Sequence, residues 1–325
     1  MKFLVTGGAG YIGSHMVNFL LKKNHDVTIF DNLSTGKFIN KNRIKFEKVD
    51  LINLNKLNKS INNKKFDAVF HFAGLSIVSE SEKKAKEYYL NNVLATKNLI
   101  KSMIKHNINN LIFSSSASVY GLPTTKKISE NHRTRPISEY GKNKKEIEKI
   151  LIKFGKKKNF KSISFRYFNA AGADESAKIG ESHHPETHLI PKVLESVKHR
   201  KKNIYVYGNT YNTKDGTCIR DYIHVSDLAD IHIRSLKYLN FKKKSFVLNC
   251  GYGKGYSVKE IVDIFKKLKK DVLVDVLRRR PGDLDHVYSN TNKFKKLINW
   301  KPKYKNIKKI ILSAINWERR LNKRN

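Results

Sequence analysis

Cysteine is nearly missing from this chain. Two residues, Cys218 and Cys250, are all that 325 positions contain, which excludes a disulfide framework and leaves no Cys-based metal spacing. So small a thiol complement fits a reduced, cytoplasmic setting. No run comes near the ~18 consecutive apolar residues of a membrane helix, so no membrane partner is expected. Met1-Lys2-Phe3-Leu4-Val5 leads straight into a glycine-rich turn, too short a start for a secretory signal. Proline numbers six, and no Pro/Ser linker separates one part of the chain from another. Acidic residues are scarce as well, at 28 against 66 Lys and Arg, for a formal net charge of +38.

Such a charge invites a nucleic-acid partner, but its distribution does not support one. Lysines are spread along the whole chain, often beside Asn and Ile, as in Lys56-Leu57-Asn58-Lys59-Ser60-Ile61-Asn62-Asn63-Lys64-Lys65. There is no discrete basic tail and no recognisable RNA- or DNA-binding motif. A compositional bias towards Lys, Asn and Ile explains the charge, and a general attraction for phosphorylated small molecules follows from it. No nucleic-acid partner and no metal are expected.

With 39% apolar residues the chain has enough for a core. Its first half alternates β-rich runs with helix-length segments, the pattern of a parallel sheet with crossover helices. Strands are predicted at 3–6, 27–30, 44–49, 68–72, 111–115 and 162–165. Helices are predicted at 12–21, 81–105 and 140–154. After Phe168 the rhythm breaks, and 169–188 looks like a long functional loop. Beyond it, helices are predicted at 189–199, 225–239 and 258–268, strands at 204–207 and 246–250, and an amphipathic basic segment at 306–322. The fold class is therefore α/β: a Rossmann-type, doubly wound parallel sheet at 1–168, with a smaller interleaved substrate lobe at 169–325. Part of the latter, about 215–250, is expected to return to the first.

Between the first strand and first helix lies Thr6-Gly7-Gly8-Ala9-Gly10-Tyr11-Ile12-Gly13. Glycines at 7, 10 and 13 allow a tight turn and bring backbone N–H groups against a pyrophosphate, whose charge the helix N-terminus favours. Asp31 ends the second strand, where a carboxylate accepts hydrogen bonds from a ribose and repels a 2′-phosphate. NAD is favoured over NADP on that ground. Asp50-Leu51 and Phe72-Ala73-Gly74 follow two further strands and suit the same cradle. On spacing alone both are read equally well as loop chemistry.

Tyr140-x-x-x-Lys144 puts a hydroxyl and an ammonium on one helix face. The spacing recurs at Tyr238/Lys242 and Tyr304/Lys308, but only Tyr140 lies downstream of a strand ending in Ser114-Ser115-Ser116. The stripe Tyr140, Lys144, Ile147, Leu151, Phe154 turns apolar one turn later, so the pair is expected to point inwards. A free phenol, with pKa near ~10, is a poor base at neutral pH. A neighbouring cation and a positive nicotinamide ring are expected to lower it, which takes roughly 4 kcal/mol of preferential stabilisation of the phenolate. Ser116 is placed to orient the substrate hydroxyl.

In this order these residues, with Asp31-Asn32-Leu33, His71-Phe72-Ala73-Gly74, Ser114 to Gly121 and Arg166-Tyr167-Phe168-Asn169, resemble the extended short-chain dehydrogenases/reductases. Asp215 to Val225, containing Arg220, and Arg279-Arg280-Pro281-Gly282-Asp283 narrow the resemblance to NAD-dependent epimerases acting on carbon 4 of UDP-hexoses. The resemblance implies Tyr140 as base, Ser116 as its assistant, and Lys144 as holder of the nicotinamide ribose. It implies cofactor contacts at Gly7, Gly10, Tyr11, Ile12, Gly13, Asp31, Asn32, Asp50, Leu51, Phe72, Ala73, Gly74, Asn91, Lys144 and Phe168. It further implies that Ser116, Asn169, Leu189, Tyr207, Arg220, Arg280 and Asp283 hold the UDP-sugar, the arginines by pairing with its diphosphate. The implied reaction oxidises the sugar to a 4-keto form and reduces it on the opposite face, with a tightly bound NAD that is restored within each turnover. A homodimer through helices near 81–105 and 140–154 is implied too.

His188 departs from members that carry Asn there, and Val287 stands near a position that governs access for N-acetylated sugars. An enzyme for UDP-N-acetylglucosamine, or for both substrates, is the alternative within the class. A dehydratase is disfavoured because Ala117-Ser118-Val119 stands where it would carry an Asp-Glu pair. A different class remains open at this stage: an inactive nucleotide-fold protein that binds RNA through its positive surface.

Overall fold

A computed structural model describes residues 1–36, 44–156, 159–183, 185–198, 203–242, 244–268, 271–280 and 282–323. His184, His199 and Pro281, which the sequence reading touched on, lie outside the described residues.

Seven parallel strands form the central sheet. Their order is Phe246–Cys250, Lys161–Tyr167, Asn110–Ser116, Ala68–His71, Lys2–Thr6, Asp26–Asp31 and Ile44–Lys48. Chain order reverses between Lys2–Thr6 and Ala68–His71, and such a switch point opens a crevice at the carboxyl ends of the strands. Strand alternation feeds two cores. Phe3 and Val5 join the helices Tyr11–Lys22 and Val225–Lys242 on one face, while Leu4 joins Leu57, Leu99 and Ile147 on the other. Burial on both faces accounts for continuous apolar runs such as Ala68-Val69-Phe70. Across the switch, His71 bridges the Thr6 hydroxyl at 2.6 Å and the Thr96 hydroxyl at 2.8 Å.

The single helix expected over 81–105 is a broken series instead. It consists of Val78–Ser81, Ala85–Tyr88, a π-helical turn at Tyr89–Leu94, and Ala95–Lys105. Three side-chain bonds to the preceding loop accompany the break. The Tyr88 hydroxyl donates to the Ile77 carbonyl at 2.8 Å, and the Asn92 side chain brackets the Leu75 backbone, accepting from its N–H at 2.8 Å and donating to its carbonyl at 3.0 Å. The helix Leu54–Ile61 was not expected.

Beyond Phe168 the chain contributes to both parts. Phe246–Cys250 pairs with Lys161–Tyr167 in the main sheet. Ile219–His224 pairs with Asn169–Ala171, Gly255–Ser257 and His286–Ser289, the last of which continues to Lys127–Ile128. Ile204–Tyr207 pairs with Val274–Leu277. The buried Asp221 carboxylate ties the smaller sheet together, accepting from the N–H groups of Tyr252, Gly253 and Ser289 at 3.0, 3.0 and 3.1 Å.

Candidate active site

The glycine turn sits at the switch point. Gly7 has φ +69°, and a Cβ there would fall 2.4 Å from the Ala73 nitrogen, so only glycine suits the position. Gly10 caps the helix Tyr11–Lys22 without any side-chain hydrogen bond. A Cβ on Gly10 would meet only the Gly7 carbonyl, at 3.4 Å, so the space before the first-turn N–H groups is open to a phosphate. Asp31 accepts from Ala9 N at 3.0 Å and from Leu33 N at 2.8 Å, and each carboxylate oxygen keeps a lone pair for a ribose hydroxyl. Asn32 and Asp50 each turn their own loop, accepting from Ser34 N and Ile52 N. The Leu51 carbonyl accepts from the buried Asn98 amide. Phe72 and Ala73 donate their N–H groups to the Thr6 carbonyl. This chain's donor set, open helix end and ribose-facing carboxylate fit a dinucleotide.

Tyr140 and Lys144 lie on the helix Glu139–Phe154, buried at 9% and 5% exposure. Ser138 begins that helix by accepting from Gly141 N at 3.1 Å. A Cβ on Gly141 would come 2.7 Å from the Ser118 carbonyl, so glycine lets the helix approach the turn that carries Ser116. There the Ser116 hydroxyl acts on the Tyr140 phenol, and its Oγ also meets Ser118 Oγ at 3.1 Å. The Lys144 ammonium donates to the Ser114 carbonyl at 2.8 Å and lies 5.5 Å from the centre of the Tyr140 ring. The inward stripe holds through Ile147 and Leu151, with Phe154 partly buried.

The expected lowering of the phenol is not found in the protein on its own. Burial pushes Tyr140 up to about 12, opposed only by the Ser116 hydrogen bond. Burial also brings Lys144 down to about 8, with the Glu148 carboxylate one turn on pulling it back. Desolvation outweighs a cation whose charge the Ser114 carbonyl already engages.

Behind Lys144, Glu148 and Arg166 form a buried fork, with N–O distances of 2.7 and 3.0 Å, and Ser115 donates to the same carboxylate at 2.6 Å. Neither residue was singled out from sequence. The i+4 spacing from Lys144 was the available signal for Glu148, while Arg166 appeared only within the motif Arg166-Tyr167-Phe168-Asn169 and without a role.

Asn169, Leu189, Tyr207, Arg220, Arg280 and Asp283 line one cavity of about 670 Å³. Arg220 pairs with Asp283 and donates to the Ile219 and Leu284 carbonyls at 2.8 and 2.9 Å. The Arg280 guanidinium stacks 3.7 Å from the centre of the Tyr207 ring. Asn169 donates to the Asp221 carbonyl. Neither Ser116 nor Tyr140 belongs to this wall; Phe168 packs against the Val119, Tyr120 and Ile128 cluster, as Val287 does. Asn91 turns back to its own helix, donating to the Glu87 carbonyl at 3.0 Å, whereas its neighbour Asn92 shapes the Gly74-Leu75 loop. The doublet Asn91-Asn92 offers no sequence signal to separate these two behaviours.

Residues 3–251 match the NAD dependent epimerase/dehydratase family. The UDP-glucose 4-epimerase of Lactobacillus helveticus is 42% identical over 322 residues, covering 98% of this chain and 97% of its own. The crystal structure of UDP-glucose 4-epimerase from Brucella ovis in complex with NAD is 36% identical with a TM-score of 0.93, covering 97% of each chain. The UDP-Glc/GlcNAc 4-epimerase of Campylobacter jejuni is 38% identical with a TM-score of 0.86, covering 98% of this chain and 99% of that one. Likeness of this extent, over a strand order that places the glycine turn at the switch point and Tyr140 beside Ser116 and Lys144, makes this chain a member of the NAD dependent epimerase/dehydratase family.

Proposed function

We propose that the protein interconverts UDP-glucose and UDP-galactose through a 4-keto sugar. The observation that carries this is the trio Ser116, Tyr140 and Lys144, with Tyr140 and Lys144 buried, Ser116 half-buried at the end of its strand, and Lys144 Nζ fixed on the Ser114 carbonyl. Gly7, Gly10, Gly13, Tyr11, Ile12, Asp31, Asn32, Asp50, Leu51, Phe72, Ala73, Gly74, Asn91 and Phe168 hold the cofactor, with Lys144 at its nicotinamide ribose. NAD, when bound, supplies reversible hydride acceptance at carbon 4 of the sugar. Tyr140 takes the proton from the 4-hydroxyl and returns it after the ketone has turned over, while Ser116 orients that oxygen. Lys144 provides the positive charge that a buried phenolate needs. Arg220 and Arg280 grip the diphosphate, and Asn169, Leu189, Tyr207 and Asp283 complete the nucleotide pocket. A firm hold on UDP leaves the hexose free to present either face.

The test uses protein purified without added NAD, given UDP-galactose and, separately, UDP-N-acetylgalactosamine. UDP-glucose is the expected product of the first. If neither substrate yields its 4-epimer even after NAD is supplied, the proposal fails. Turnover of the second substrate identifies a dual enzyme, which the Campylobacter jejuni relative's description favours. Val287, packed against the Val119–Tyr120–Ile128 cluster, stands near the position whose bulk affects access for the N-acetylated sugar.

We infer a homodimer through the helical face that exposes Tyr89, Ile104 and Ile152, with a cytoplasmic location in keeping with the free, buried Cys218 and Cys250. No described helix is long and apolar enough to cross a membrane. Residues 1–168, joined by the helix and strand within about 215–250, are assigned to the cofactor, and the rest mainly to the sugar nucleotide.

A further inference from the structure

The loop between the strand Asn169–Ala171 and the helix Leu189–Lys198 gathers four side chains that the reaction leaves unused. Glu181, His183, Glu186 and His188 each offer one nitrogen or oxygen, and these atoms all lie within 4.8 Å of one another. His183 Nδ1 stands 3.7 Å from a Glu181 oxygen and 3.5 Å from a Glu186 oxygen. His188 Nδ1 lies 2.5 Å from the same Glu181 oxygen. Bonds of about 2.0–2.2 Å around a tetrahedral ion separate its ligands by about 3.3–3.6 Å, so two of the six edges are nearly in place, the His188–Glu181 edge has to lengthen, and the other three lie within 4.8 Å.

Charge points the same way. The chain holds 66 Lys and Arg against 28 acids, yet among the described residues Glu181 and Glu186 have only the two histidines as ion-pair partners. Both carboxylates are withdrawn from water, at 5% and 14% side-chain exposure.

Part of the backbone that delivers these groups is fixed by other residues, although the Glu186 carboxylate itself accepts from Thr187 N at 2.7 Å and His188 N at 2.8 Å. Asp174 accepts from Lys178 N and Ile179 N at 2.8 Å each, and the Trp317 indole donates to the Glu181 carbonyl at 2.8 Å. We propose that Glu181, His183, Glu186 and His188 form a structural site for a divalent cation of the zinc class. Two imidazoles and two carboxylates closing on four positions suit such an ion, whereas Mg²⁺ and Ca²⁺ take six or more oxygens. Four protein ligands leave no open position, so the ion is a staple rather than a Lewis acid. It fastens the loop to the helix Leu189–Lys198, beside the cavity that Glu181 and His188 help to line. Glu181 and His188 share that cavity with the residues assigned to the sugar nucleotide, and metal binding is read without turnover.

Full-length protein, stripped with a chelator and dialysed, is titrated with Zn²⁺ alone by calorimetry and with Co²⁺ by visible absorption. One equivalent is expected to bind, millimolar Mg²⁺ is not expected to displace it, and Co²⁺ should show the intense bands of four-coordinate geometry. His183→Gln and Glu186→Gln, made separately so that one misfolded variant leaves the other, should each weaken binding by at least about 100-fold, with unchanged circular dichroism and NAD content. Absence of stoichiometric binding at micromolar Zn²⁺, binding spread over several weak sites, or unaltered binding in a folded variant would each overturn the site.

Discussion

Lys144 Nζ donates to the Ser114 carbonyl at 2.8 Å, so the cation next to Tyr140 is held by the sheet and not by the phenol it serves. The phenol is left to its Ser116 partner and stays free to exchange a proton. A second positive charge has to arrive before that exchange is favourable near neutrality, since burial alone holds Tyr140 at about 12. In the mechanism proposed above, cofactor binding is thereby linked to the readiness of Tyr140 as the base.

Replacing Tyr140 by Phe keeps the buried ring and removes the proton carrier. Turnover of UDP-galactose should fall by about 10²–10⁴-fold, while the purified variant retains NAD measured by absorbance after denaturation. Wild-type activity in Tyr140→Phe would exclude the phenol as the base.

At the glycine turn, Gly7→Ala is expected to cost cofactor rather than fold. Its Cβ would lie 2.4 Å from Ala73 N at a positive φ, driving apart the two segments that frame the cradle. The measurement is NAD content per chain, expected to be far below wild type; undiminished content would show that the turn relaxes without consequence.

Glu148→Gln leaves Arg166 buried without its counter-charge, a loss of about 3–5 kcal/mol by the usual cost of halving a buried pair. Denaturant unfolding measures it. Pairing Glu148→Leu with Arg166→Met should restore much of that stability while leaving Ser115 without its acceptor. If the single variant unfolds at the wild-type midpoint, the fork is not what anchors the catalytic helix.

Acid should unfold the protein earlier than its carboxylates alone would allow. Burial lowers His15 and His232 to about 4 and His71 and His224 to about 3. Their folded values lie below the ordinary unfolded value near ~6.5, so the unfolded chain takes up protons first and stability falls as pH drops below it. The loss continues until the folded values are reached, at most about 1.4 kcal/mol per histidine per pH unit. Melting temperatures between pH 7.5 and 4.5 should decline steadily; a flat profile to pH 4.5 would contradict the burial of these rings.

Much of the Rossmann half was legible because its signals are local. Phe3 to Thr6 and the glycines after it announce strand, turn and helix within a dozen residues, and the stripe from Tyr140 to Leu151 shows which face is inward. The helix Leu54–Ile61 escaped because Leu57 and Ile61 are its only buried residues, set among Asn and Lys. Strands of the smaller sheet were hidden for another reason. Ile219–His224 is organised by Asp221, whose partners Tyr252, Gly253 and Ser289 lie 31 to 68 positions away. The Glu181–His188 cluster drew no notice as a ligand set, because its spacing of two, three and two positions matches neither the i, i+4 pair of a helix nor a familiar metal motif.

The pairing of Phe246–Cys250 with Lys161–Tyr167 has a consequence during synthesis. When residue 168 leaves the ribosome, six strands are available but the backbone of Lys161–Tyr167 is still an unpaired edge. Some eighty further residues must emerge, by this sheet's order, before that edge is sealed. A chain released early, or a fragment cut at the apparent domain boundary, would expose an adhesive border and be prone to self-association, so the cofactor half cannot be expressed cleanly without the far strand that completes it.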